Sequence, residues 1–406
     1  MDALMLPSNW QRVRLGDIAE IIGGGTPSTQ VTSFWNGSIN WFTPTEIGIT
    51  KYVYKSQRTI TPLGLKKSSA KLLPIGTILL TSRASIGDCA ILKVVATTNQ
   101  GFQSLIPLEK INNEFLYYLI LTLKNKLLKL ASGSTFLEVS PNKIKNLLIP
   151  LPPLNEQSTI ANILSDLDRY LHALNSLILK KESIKKALSF ELLSQRKRLK
   201  GFNQAWQRVR LGDIGITISG LVGKTKQDFI NGNAKYITFL NVLNNVIIDT
   251  SILENVKIYP NEKQNSFKKY DLFFNTSSET PKEVGMCAVL LDDIDQVFLN
   301  SFCFGFRIFD KAVDSLFLSY LINSEIGRKA FENLAQGSTR YNLSKSGFNN
   351  VCLFLPPLDE QIAIANILSD LDNEIASLKN KKRQFENIKK ALNHDLMSAK
   401  IRVLKK

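Results

Sequence analysis

Hydrophobic residues recur at alternating spacings of three and four in two long stretches of the chain. This is the period of a coiled-coil seam, and it predicts two helices, over residues 155–200 and 359–406. At 1.5 Å per residue, a helix of about 45 residues spans about 65–70 Å. The seam positions are Ile160, Leu164, Leu167, Leu171, Leu174, Ile178, Leu188 and Leu192 in the first stretch, and Ile364, Leu368, Leu371, Ile375, Leu378, Phe385, Leu392 and Leu396 in the second.

The ends of both stretches carry residues typical of helix boundaries. A Pro-Pro pair precedes each stretch and ends whatever structure comes before it. Asn155 and Asp359 follow these pairs and are suited to the N-cap position. Gly201 is suited to stop the first helix after Lys200.

Lysines interrupt both seams, and two interpretations of them are equally favoured. They could fix the register of the helix pair at a cost in stability, as polar seam residues do. They could equally extend their ammonium groups from a loose seam into water. The lysines concerned are Lys181, Lys185, Lys382 and Lys389.

The chain contains one framework twice. Residues 10–18 (WQRVRLGDI) recur unchanged as 206–214, and residues 160–168 (IANILSDLD) recur unchanged as 364–372. Residues 151–157 (LPPLNEQ) recur as 355–361 (LPPLDEQ). The difference in residue number between matching positions grows from 196 at the first match to 204 at the last, so the interiors of the two copies differ in length. They also differ in sequence, because residues 20–110 scarcely resemble residues 216–312. Constant frames around divergent interiors predict two copies of one scaffold with different recognition surfaces.

These features predict an α+β fold with two similar mixed α/β domains, over 1–154 and 201–358, each followed by a long helix. An amphipathic helix of this length needs a partner for its apolar stripe, and the other copy is the obvious one. The order domain, helix, domain, helix, with a pseudo-twofold axis, predicts antiparallel helices with one domain at each end. Such a spacer could address two DNA sites a helical turn or more apart, since DNA advances about 34 Å per turn.

The net charge suggests a polyanionic partner. The 406 residues include 51 basic and 35 acidic side chains, a balance of +16. The surplus is concentrated in the first domain, where 1–154 carry 16 basic and 8 acidic residues, against 16 and 15 in 201–358. If nucleic acid binds, the first domain should supply most of the salt-sensitive attraction. Scattered lysines that serve only solubility are the alternative.

The chain lacks the residue patterns that metal sites, disulfide frameworks and several kinds of catalytic site require. The four cysteines are far apart without a C-x-x-C pair, and the only two histidines, His172 and His394, lie in predicted helices. A zinc site, a disulfide framework and histidine-based catalysis are therefore not expected. Gly223-Lys224-Thr225 lacks the earlier glycine of a phosphate-binding loop, because Ile218 stands there. With no secretory signal or membrane span recognised, a reduced, cytoplasmic, non-catalytic protein is expected.

The ordered motifs resemble the specificity (S) subunit of type I restriction–modification enzymes across essentially the whole chain. Trp-x-x-Val-x-Leu-Gly-Asp-Ile opens each half, and Gly-Ser-Thr followed by Leu-Pro-Pro-Leu-x-Glu-Gln and a long helix closes it. The first half adds Gly-Gly-Thr-Pro-Ser at 24–28, Ser-Ile-Gly at 85–87 and Asn-Gln-Gly-Phe at 99–102. The second half departs from this pattern, with Glu-Val-Gly at 283–285 in place of Ser-Ile-Gly.

The resemblance implies two target recognition domains, each reading a few base pairs of a bipartite, asymmetric site on double-stranded DNA. It also implies helices that set the spacer length and dock two modification subunits. Those partners would transfer methyl groups from S-adenosylmethionine to adenine N6, and ATP- and Mg²⁺-dependent restriction subunits would join them. No cofactor or metal is expected in this chain. The competing hypotheses are a two-headed protein–protein scaffold and an enzyme with an unrecognised site.

Base-reading residues are expected in the divergent interiors, because base contacts specify a sequence whereas phosphate contacts position the protein. For each candidate taken singly, an ordinary solvated loop residue is the favoured alternative, because most surface lysines and arginines are simply exposed. Trp35 and Trp41 could stack on a splayed base, but core packing is favoured. The base-reading candidates in the first half are Thr26, Ser28, Thr29, Gln30, Arg83, Asn99 and Gln100, and the phosphate candidates are Lys55, Arg58, Lys66, Lys67 and Lys71. Those in the second half are Lys224, Lys226, Asn275, Thr276, Ser277, Arg340, Tyr341, Asn342 and Lys345.

Overall fold

The computed structural model describes residues 6–133, 137–332, 334, 337 and 341–403. Contacts divide the chain into two units, one formed by 1–175 with 380–406 and the other by 176–379. Each unit contains one mixed α/β domain and a stretch of both long helices. We call residues 6–153 the first head and residues 201–357 the second head.

The first head is built on a five-stranded and a three-stranded sheet, with strand orders β2-β9-β6-β7-β4 and β5-β3-β8, and a β1-β10 ribbon. Its strands are β1 (Gln11–Arg14), β2 (Ala19–Gly23), β3 (Trp35–Phe42), β4 (Tyr52–Val53), β5 (Arg58–Ile60), β6 (Ile78–Leu80), β7 (Cys89–Leu92), β8 (Ala96–Thr98), β9 (Gln103–Pro107) and β10 (Leu148–Leu151). Its helices are α1 (Pro62–Lys66), α2 (Asn113–Thr122), α3 (Lys124–Leu130) and α4 (Pro141–Lys145).

The larger sheet of the first head is buried on both faces, which explains its uninterrupted apolar strands. Ile78 and Leu80 of β6 point into a core with α2 and the start of the first long helix. Leu79 lies between them in sequence and points to the opposite face, against Phe42 and Phe102. The period-2 alternation of a strand thus serves two cores at once.

The second head repeats this architecture. Its larger sheet has the order β12-β19-β15-β17 and its smaller one β14-β13-β18, with a β11-β21 ribbon and a β16-β20 pair. Its strands are β11 (Gln207–Arg210), β12 (Gly215–Ser219), β13 (Ala234–Ile237), β14 (Glu254–Val256), β15 (Leu272–Asn275), β16 (Ser277–Ser278), β17 (Cys287–Val289), β18 (Val297–Leu299), β19 (Cys303–Ile308), β20 (Tyr341–Asn342) and β21 (Cys352–Leu355). Its helices are α6 (Leu211–Ile214), α7 (Phe239–Asn244), α8 (Ser315–Asn323), α9 (Glu325–Glu332) and α10 (Lys345–Asn349). The interiors scarcely match in sequence and nevertheless share their sheet order.

The two long helices, α5 (Leu154–Leu193) and α11 (Leu358–Met397), pack antiparallel within each unit. In the first unit Asp168 contacts Lys389 and Asn175 contacts Lys382. Later residues of α5 therefore contact earlier residues of α11, as in an antiparallel pair. In the second unit Lys185 contacts Asp372 and Arg198, beyond the end of α5, contacts Glu360. The predicted α+β class, with two similar mixed domains and two long antiparallel helices, is confirmed.

The predicted helix ends at 200 and 406 are wrong, since both helices are 40 residues long and end at Leu193 and Met397. Gln195 and Ala399 stop them by adopting left-handed backbone, with φ of 62° and 58°. The Lys197 amide then bonds back to the Glu191 carbonyl at 3.1 Å. The Lys400 amide bonds back to the Asp395 carbonyl at 2.9 Å, which is the long bond of a Schellman cap. Both helices also begin one residue before Asn155 and Asp359, which therefore lie inside the first turn rather than at the cap.

The seam lysines all hydrogen-bond to the opposite helix. Lys181 donates to Glu374 at 2.8 Å, and Lys382 donates to the Asn175 side-chain oxygen at 2.8 Å. The contacts of Lys185 and Lys389 with aspartates are those given above. These specific cross-helix bonds favour the register role over simple extension into water.

Candidate nucleic-acid interface

The repeated nine-residue motif forms the outer strand of a ribbon that joins each head to its helix. Gln11–Arg14 pairs antiparallel with Leu148–Leu151, and Gln207–Arg210 pairs with Cys352–Leu355 in the same register. The partner strand leads directly into Pro-Pro and the long helix. The identical frames are therefore explained by one ribbon built twice.

Glu156, from the Leu-Pro-Pro-Leu-x-Glu-Gln motif, is fully buried and fixes the first ribbon. Its carboxylate accepts a hydrogen bond from the Trp10 indole at 3.1 Å and bonds from the Arg402 guanidinium at 2.8 and 3.2 Å. The side chain of Arg402 is 29% exposed, so the ion pair is closed on the carboxylate side and open on the other. A buried carboxylate needs such a cation, since an unpaired one would be strongly unfavourable.

The second unit makes the equivalent clamp with different neighbours. Glu360 is fully buried and accepts two bonds from Arg198, at 2.7 and 2.6 Å. Arg198 also donates to the Gln204 carbonyl oxygen at 2.8 Å. The Trp206 indole N–H has no hydrogen-bond partner among the described residues. Sequence analysis missed both arginines, although the offset of 204 continues through Ser194/Ser398 and Arg198/Arg402.

The glutamine that follows each buried glutamate docks the helix on its head. Gln157 donates to the Pro152 carbonyl at 2.9 Å and accepts from the Asn112 amide at 3.0 Å. Gln361 donates to the Pro356 carbonyl at 2.8 Å and accepts from the Asp314 amide at 2.9 Å. These repeated motifs therefore hold the heads on the helices, and recognition must come from elsewhere on each head.

A polar network joins the first head to both helices. The Lys51 ammonium donates to Glu114 at 2.7 Å, to the Tyr118 hydroxyl at 3.0 Å and to Ser165 at 2.7 Å. Tyr118 donates in turn to Asp168, which also accepts a bond from the seam lysine of α11. The second head has a smaller version, in which Tyr320 donates to Asp372 at 2.7 Å.

Electrostatics in this network favour the ionised carboxylate. Burial acts to raise the pKa of Glu114, but hydrogen bonds from Lys51, Tyr52 and Ser165 outweigh it and lower the pKa to about 2. Burial lowers the pKa of Lys51, against the opposing effect of Glu114. Burial and the Asp168 carboxylate raise the pKa of Tyr118, which keeps its hydroxyl protonated as the donor.

The smaller sheet of the first head carries the exposed candidates around two tryptophans. Trp35 and Trp41 are 8% and 3% exposed and meet edge to face at 5.0 Å between ring centroids. Their indole N–H groups donate to the Ser28 carbonyl at 3.0 Å and the Gly25 carbonyl at 2.8 Å. Both rings thus belong to the core, as favoured from the sequence, and they anchor the glycine loop.

The glycines of this loop allow the backbone to approach closely. A Cβ atom at Gly24 would lie 1.9 Å from the Asn99 carbonyl oxygen, and one at Gly25 would lie 2.3 Å from the Ala70 amide nitrogen. The loop therefore lies against the Asn-Gln-Gly segment, where Thr26 donates to Gln100. Ser28, Thr29, Gln30 and Gln100 are exposed, and Asn99 is half-buried, accepting a bond from the Gly101 amide at 2.8 Å.

The cationic candidates of the first head differ in what they contact. Arg58 lies directly opposite Trp41 in the strand pairing, with its guanidinium carbon 3.8 Å from the centroid of the Trp35 ring. Arg83 is paired with Glu138 at 2.7 Å and lies apart from the tryptophans, at the end of the larger sheet. Like Arg58, the exposed lysine candidates form no salt bridge with any described residue; these are Lys55, Lys66, Lys67 and Lys71.

The second head places its candidates in two groups. Ser277 and Ser278 pair with Tyr341 and Asn342, which brings 276–278 and 341–342 together beside an exposed lysine, Lys345, that donates to Ser219 at 2.7 Å. Asn275 is fully buried and Ser277 is 5% exposed. The Thr276 hydroxyl donates to the Phe302 carbonyl at 2.8 Å. Arg340 lies outside the described residues.

Lys224 and Lys226 belong to the second group, at the short 3-10 helix (Lys226–Phe229) beside the smaller sheet. Lys226 is exposed, whereas the Lys224 side chain is only 4% exposed and its ammonium contacts Glu262 and donates to the Lys257 carbonyl at 2.6 Å. Bonds from Lys224, Gln264 and the Tyr259 amide lower the pKa of Glu262 to about 2. The carboxylate therefore already satisfies the charge of Lys224 within the head.

The second head also contains an aromatic pair that sequence analysis did not find. Phe229 and Tyr236 meet edge to face at 5.0 Å, and Tyr236 lies opposite Glu254 in the strand pairing, as Trp41 lies opposite Arg58. The Tyr236 hydroxyl donates to Glu254 at 2.9 Å. Burial and this carboxylate raise the pKa of Tyr236 to about 12. The divergent residue types hid the equivalence, which only the strand register reveals.

Two α/β heads on one repeated frame, each with a stretch of an antiparallel helix pair, define a class of modular DNA-recognition proteins. Residues 7–185 and 203–387 each match the sequence profile of the type I restriction modification DNA specificity domain. The chain belongs to this family. Its membership confirms the prediction of a non-catalytic specificity subunit.

Relatives and solved structures agree with this assignment. The MjaIX type I restriction enzyme specificity subunit of Methanocaldococcus jannaschii is 32% identical over 295 residues, covering 68% of each chain. The crystal structure of a type I restriction-modification system S subunit from M. genitalium matches with a TM-score of 0.59 at 18% identity, over 97% of this chain and 98% of that one. A chain from a study of complex assembly and conformational transition of a type I system also gives 0.59, at 17% identity over 97% and 98%. The two structures support the fold.

No helix in the described part of the chain is both long and apolar enough to cross a membrane. Within that same part, no group of three or more histidine, cysteine, aspartate and glutamate residues is placed to hold a metal ion.

Proposed function

We propose that the two heads read the two parts of a bipartite, asymmetric site on double-stranded DNA, with the helix pair setting the distance between the parts. The observation that carries the proposal is the repeated frame. One ribbon, one buried Glu–Arg clamp and one sheet order support two interiors with different exposed side chains. A protein that binds one ligand twice would gain nothing from such divergence.

Charge supports different contributions from the two heads. The exposed lysines beside the smaller sheet of the first head, Lys55, Lys66, Lys67 and Lys71, form no salt bridge with a described residue and are suited to phosphate contacts. The loop of 26–30 and the neighbouring Gln100 present short polar side chains suited to base edges. In the second head, Asn342 and Lys345 are the corresponding exposed polar side chains, beside the pairing of 277–278 with 341–342.

The chain would act within a larger assembly in the cytoplasm. Modification subunits, two in number, would dock on the helix region and methylate adenine from S-adenosylmethionine. Restriction subunits with ATP and Mg²⁺ would complete the enzyme. This chain would hold neither cofactor, so its own contribution is the choice of sequence.

Methylation mapping tests the proposal. The chain would be co-expressed with the modification subunit encoded beside it in a methylation-free host, and modified adenines would be located by long-read sequencing. A two-part motif with a fixed gap is the expected result. A soluble complex that modifies no adenine would contradict the proposal and favour the protein–protein scaffold.

A head exchange provides the matched control. The opening frames are identical and both ribbons pair in the same register, so residues 19–147 can be replaced by 215–351 while both strands of the first ribbon are kept. The proposal predicts that the resulting chain directs methylation to a symmetric site made of the second half-site twice. An unchanged asymmetric motif would show that the interiors do not carry the specificity.

A further inference from the structure

We propose that Arg58 reads a guanine in the part of the DNA site recognised by the first head, rather than contacting a phosphate as the lysines around it do. The inference rests on the proposed function, because it names the base contact that one head makes. It assigns the recognition of one base pair to a single side chain, and the reason is the way in which the smaller sheet holds that side chain.

Arg58 is held by a rigid aromatic support. Its guanidinium carbon lies 3.8 Å from the centroid of the Trp35 ring and 5.4 Å from that of Trp41. Both rings are buried, and each indole N–H is tied to a loop carbonyl. Stacking of a cation on such rings is favourable, and it engages the face of the guanidinium rather than its N–H donors.

The donors of this fork are free to bind a ligand. Among the residues that the structure describes, none accepts a hydrogen bond from the Arg58 side chain, although the side chain is exposed. The other arginine candidate with known surroundings behaves differently, because Arg83 is occupied by Glu138 at 2.7 Å. A stacked and unpaired arginine has already lost much of the rotamer freedom that binding would otherwise remove.

Geometry distinguishes a base from a phosphate as the ligand. A bidentate pair with guanine O6 and N7 is the commonest specific contact of arginine in the major groove, and it needs a fork held in one plane. A phosphate is satisfied by a mobile point charge such as an ammonium. The exposed lysines Lys55, Lys66, Lys67 and Lys71 supply that charge nearby, whereas only Arg58 is fixed in a plane by the tryptophans.

The second head supports assigning specificity to this position. At the same register, opposite the corresponding aromatic ring, it has Glu254, which is also exposed. The aromatic pair is retained at the same 5.0 Å spacing, while the side chain opposite it changes from a cation stacked on Trp35 to an anion that accepts a hydrogen bond from the Tyr236 hydroxyl. A carboxylate cannot contact a phosphate favourably, so the two heads do not share one phosphate contact at this position, as expected where the contacted group changes with the base.

Binding measurements on single-base variants of the site test the inference. The full chain, in complex with its modification subunit, would be titrated with the mapped duplex and with duplexes changed at one base pair of the first half-site. Arg58→Lys keeps the charge and removes the planar fork, so it should abolish the preference for one G·C pair. A loss of roughly 5- to 100-fold in discrimination is expected at that pair.

Two controls make the result decisive. Lys66→Ala should lower affinity to a similar degree for every duplex, and recognition of the second half-site should be unchanged in Arg58→Lys, showing that the complex is folded. A uniform loss across all duplexes in Arg58→Lys, or unchanged recognition of every G·C pair, would overturn the inference alone. A wild-type complex that modifies no adenine would refute the proposed function, and this inference with it.

Discussion

The two aromatic pairs, Trp35–Trp41 in the first head and Phe229–Tyr236 in the second, show what is constant and what varies in this molecule. Both pairs lie at the smaller sheet with an edge-to-face contact, and a charged side chain lies opposite one ring of each pair in the strand pairing. The rings are constrained by packing. The exposed side chain opposite is not, and there the heads differ in the sign of the charge.

A second difference lies where each head meets the helices. The first unit joins its Tyr–Asp–Lys contact to a wider network through Lys51 and Glu114. In the described part of the second unit, Tyr320 is joined here to Asp372, a seam lysine and Ser369. Leu316 occupies the position of Glu114 along the equivalent helix. The first head is thus fixed by more polar contacts, and the heads should respond differently to matched changes.

Glu156→Ala and Glu360→Ala should have the largest effects. Each removes a buried carboxylate from its arginine, and breaking such a pair by removing one partner costs about 3–5 kcal/mol. Glu156→Ala should exceed Glu360→Ala by about 1 kcal/mol, because it also leaves the Trp10 indole unpaired, whereas Trp206 is unpaired already. Urea unfolding measures the total loss, and hydrogen exchange assigns it to each unit.

The exposed Glu20 provides the control for these two variants. Glu20→Ala in β2 should change stability by less than about 0.5 kcal/mol. Equal losses in Glu156→Ala and Glu360→Ala would mean that the indole bond adds nothing to the clamp.

Tyr118→Phe and Tyr320→Phe compare the two junctions directly. Loss of one hydroxyl should cost the second unit about 1–2 kcal/mol, since Asp372 then keeps only its lysine. The cost should be larger in the first unit, where the hydroxyl also accepts a bond from Lys51 at 3.0 Å. Double-mutant cycles with Asp168→Asn and Asp372→Asn would measure the coupling, and equal coupling energies would contradict the comparison.

Much of the frame could be predicted from the sequence, because repetition and hydrophobic period are local signals. The seam positions and the ribbon motifs are of this kind. The helix ends were not predictable from residue type, since Gln195 and Ala399 make the turn that glycine usually makes. The clamp was hidden by distance, with Arg402 and Glu156 separated by 246 residues.

The recognition surface was predictable only as a set of residue types. Lys66 and Lys224 look alike in sequence, yet one is exposed and the other has a side chain 4% exposed against Glu262. Arg58 was grouped with the lysines, because nothing in its neighbours reveals that two tryptophans lie beneath it. Glu254 was missed since its equivalence to Arg58 is a matter of strand register, which residue identity does not report.

Acidification should weaken the first junction through Glu114. Its pKa is about 2 in the folded chain, against about 4.3 for an unfolded glutamate, so its ionised form stabilises the fold above about pH 4.3. That contribution is lost as the pH falls from there towards 2. Glu114→Gln should therefore be less stable than wild type at pH 7, and the difference should narrow below pH 4.

Urea midpoints measured between pH 3 and pH 7 would follow this difference. Glu109→Gln, at an exposed position of the same head, should run parallel to wild type throughout. A gap between wild type and Glu114→Gln that stays constant with pH would show that the network does not depend on the ionised carboxylate.

The smallest expected effect is on the salt dependence of DNA binding, and it distinguishes a lysine of the first head from a lysine of the second. Lys66→Ala should reduce the slope of log affinity against log salt by about 1, since each phosphate contact releases about one counterion. Lys224→Ala should leave the slope unchanged, because its ammonium is already neutralised by Glu262 within the head. Both slopes would be measured on the complex with the modification subunit, from about 50 to 300 mM salt.

If Lys224→Ala lowered the slope as much as Lys66→Ala, Lys224 would have to leave Glu262 when DNA binds. The second head would then contribute more electrostatic attraction than its balanced charge indicates, and the contrast between a cationic first head and a neutral second head would hold only for the free protein.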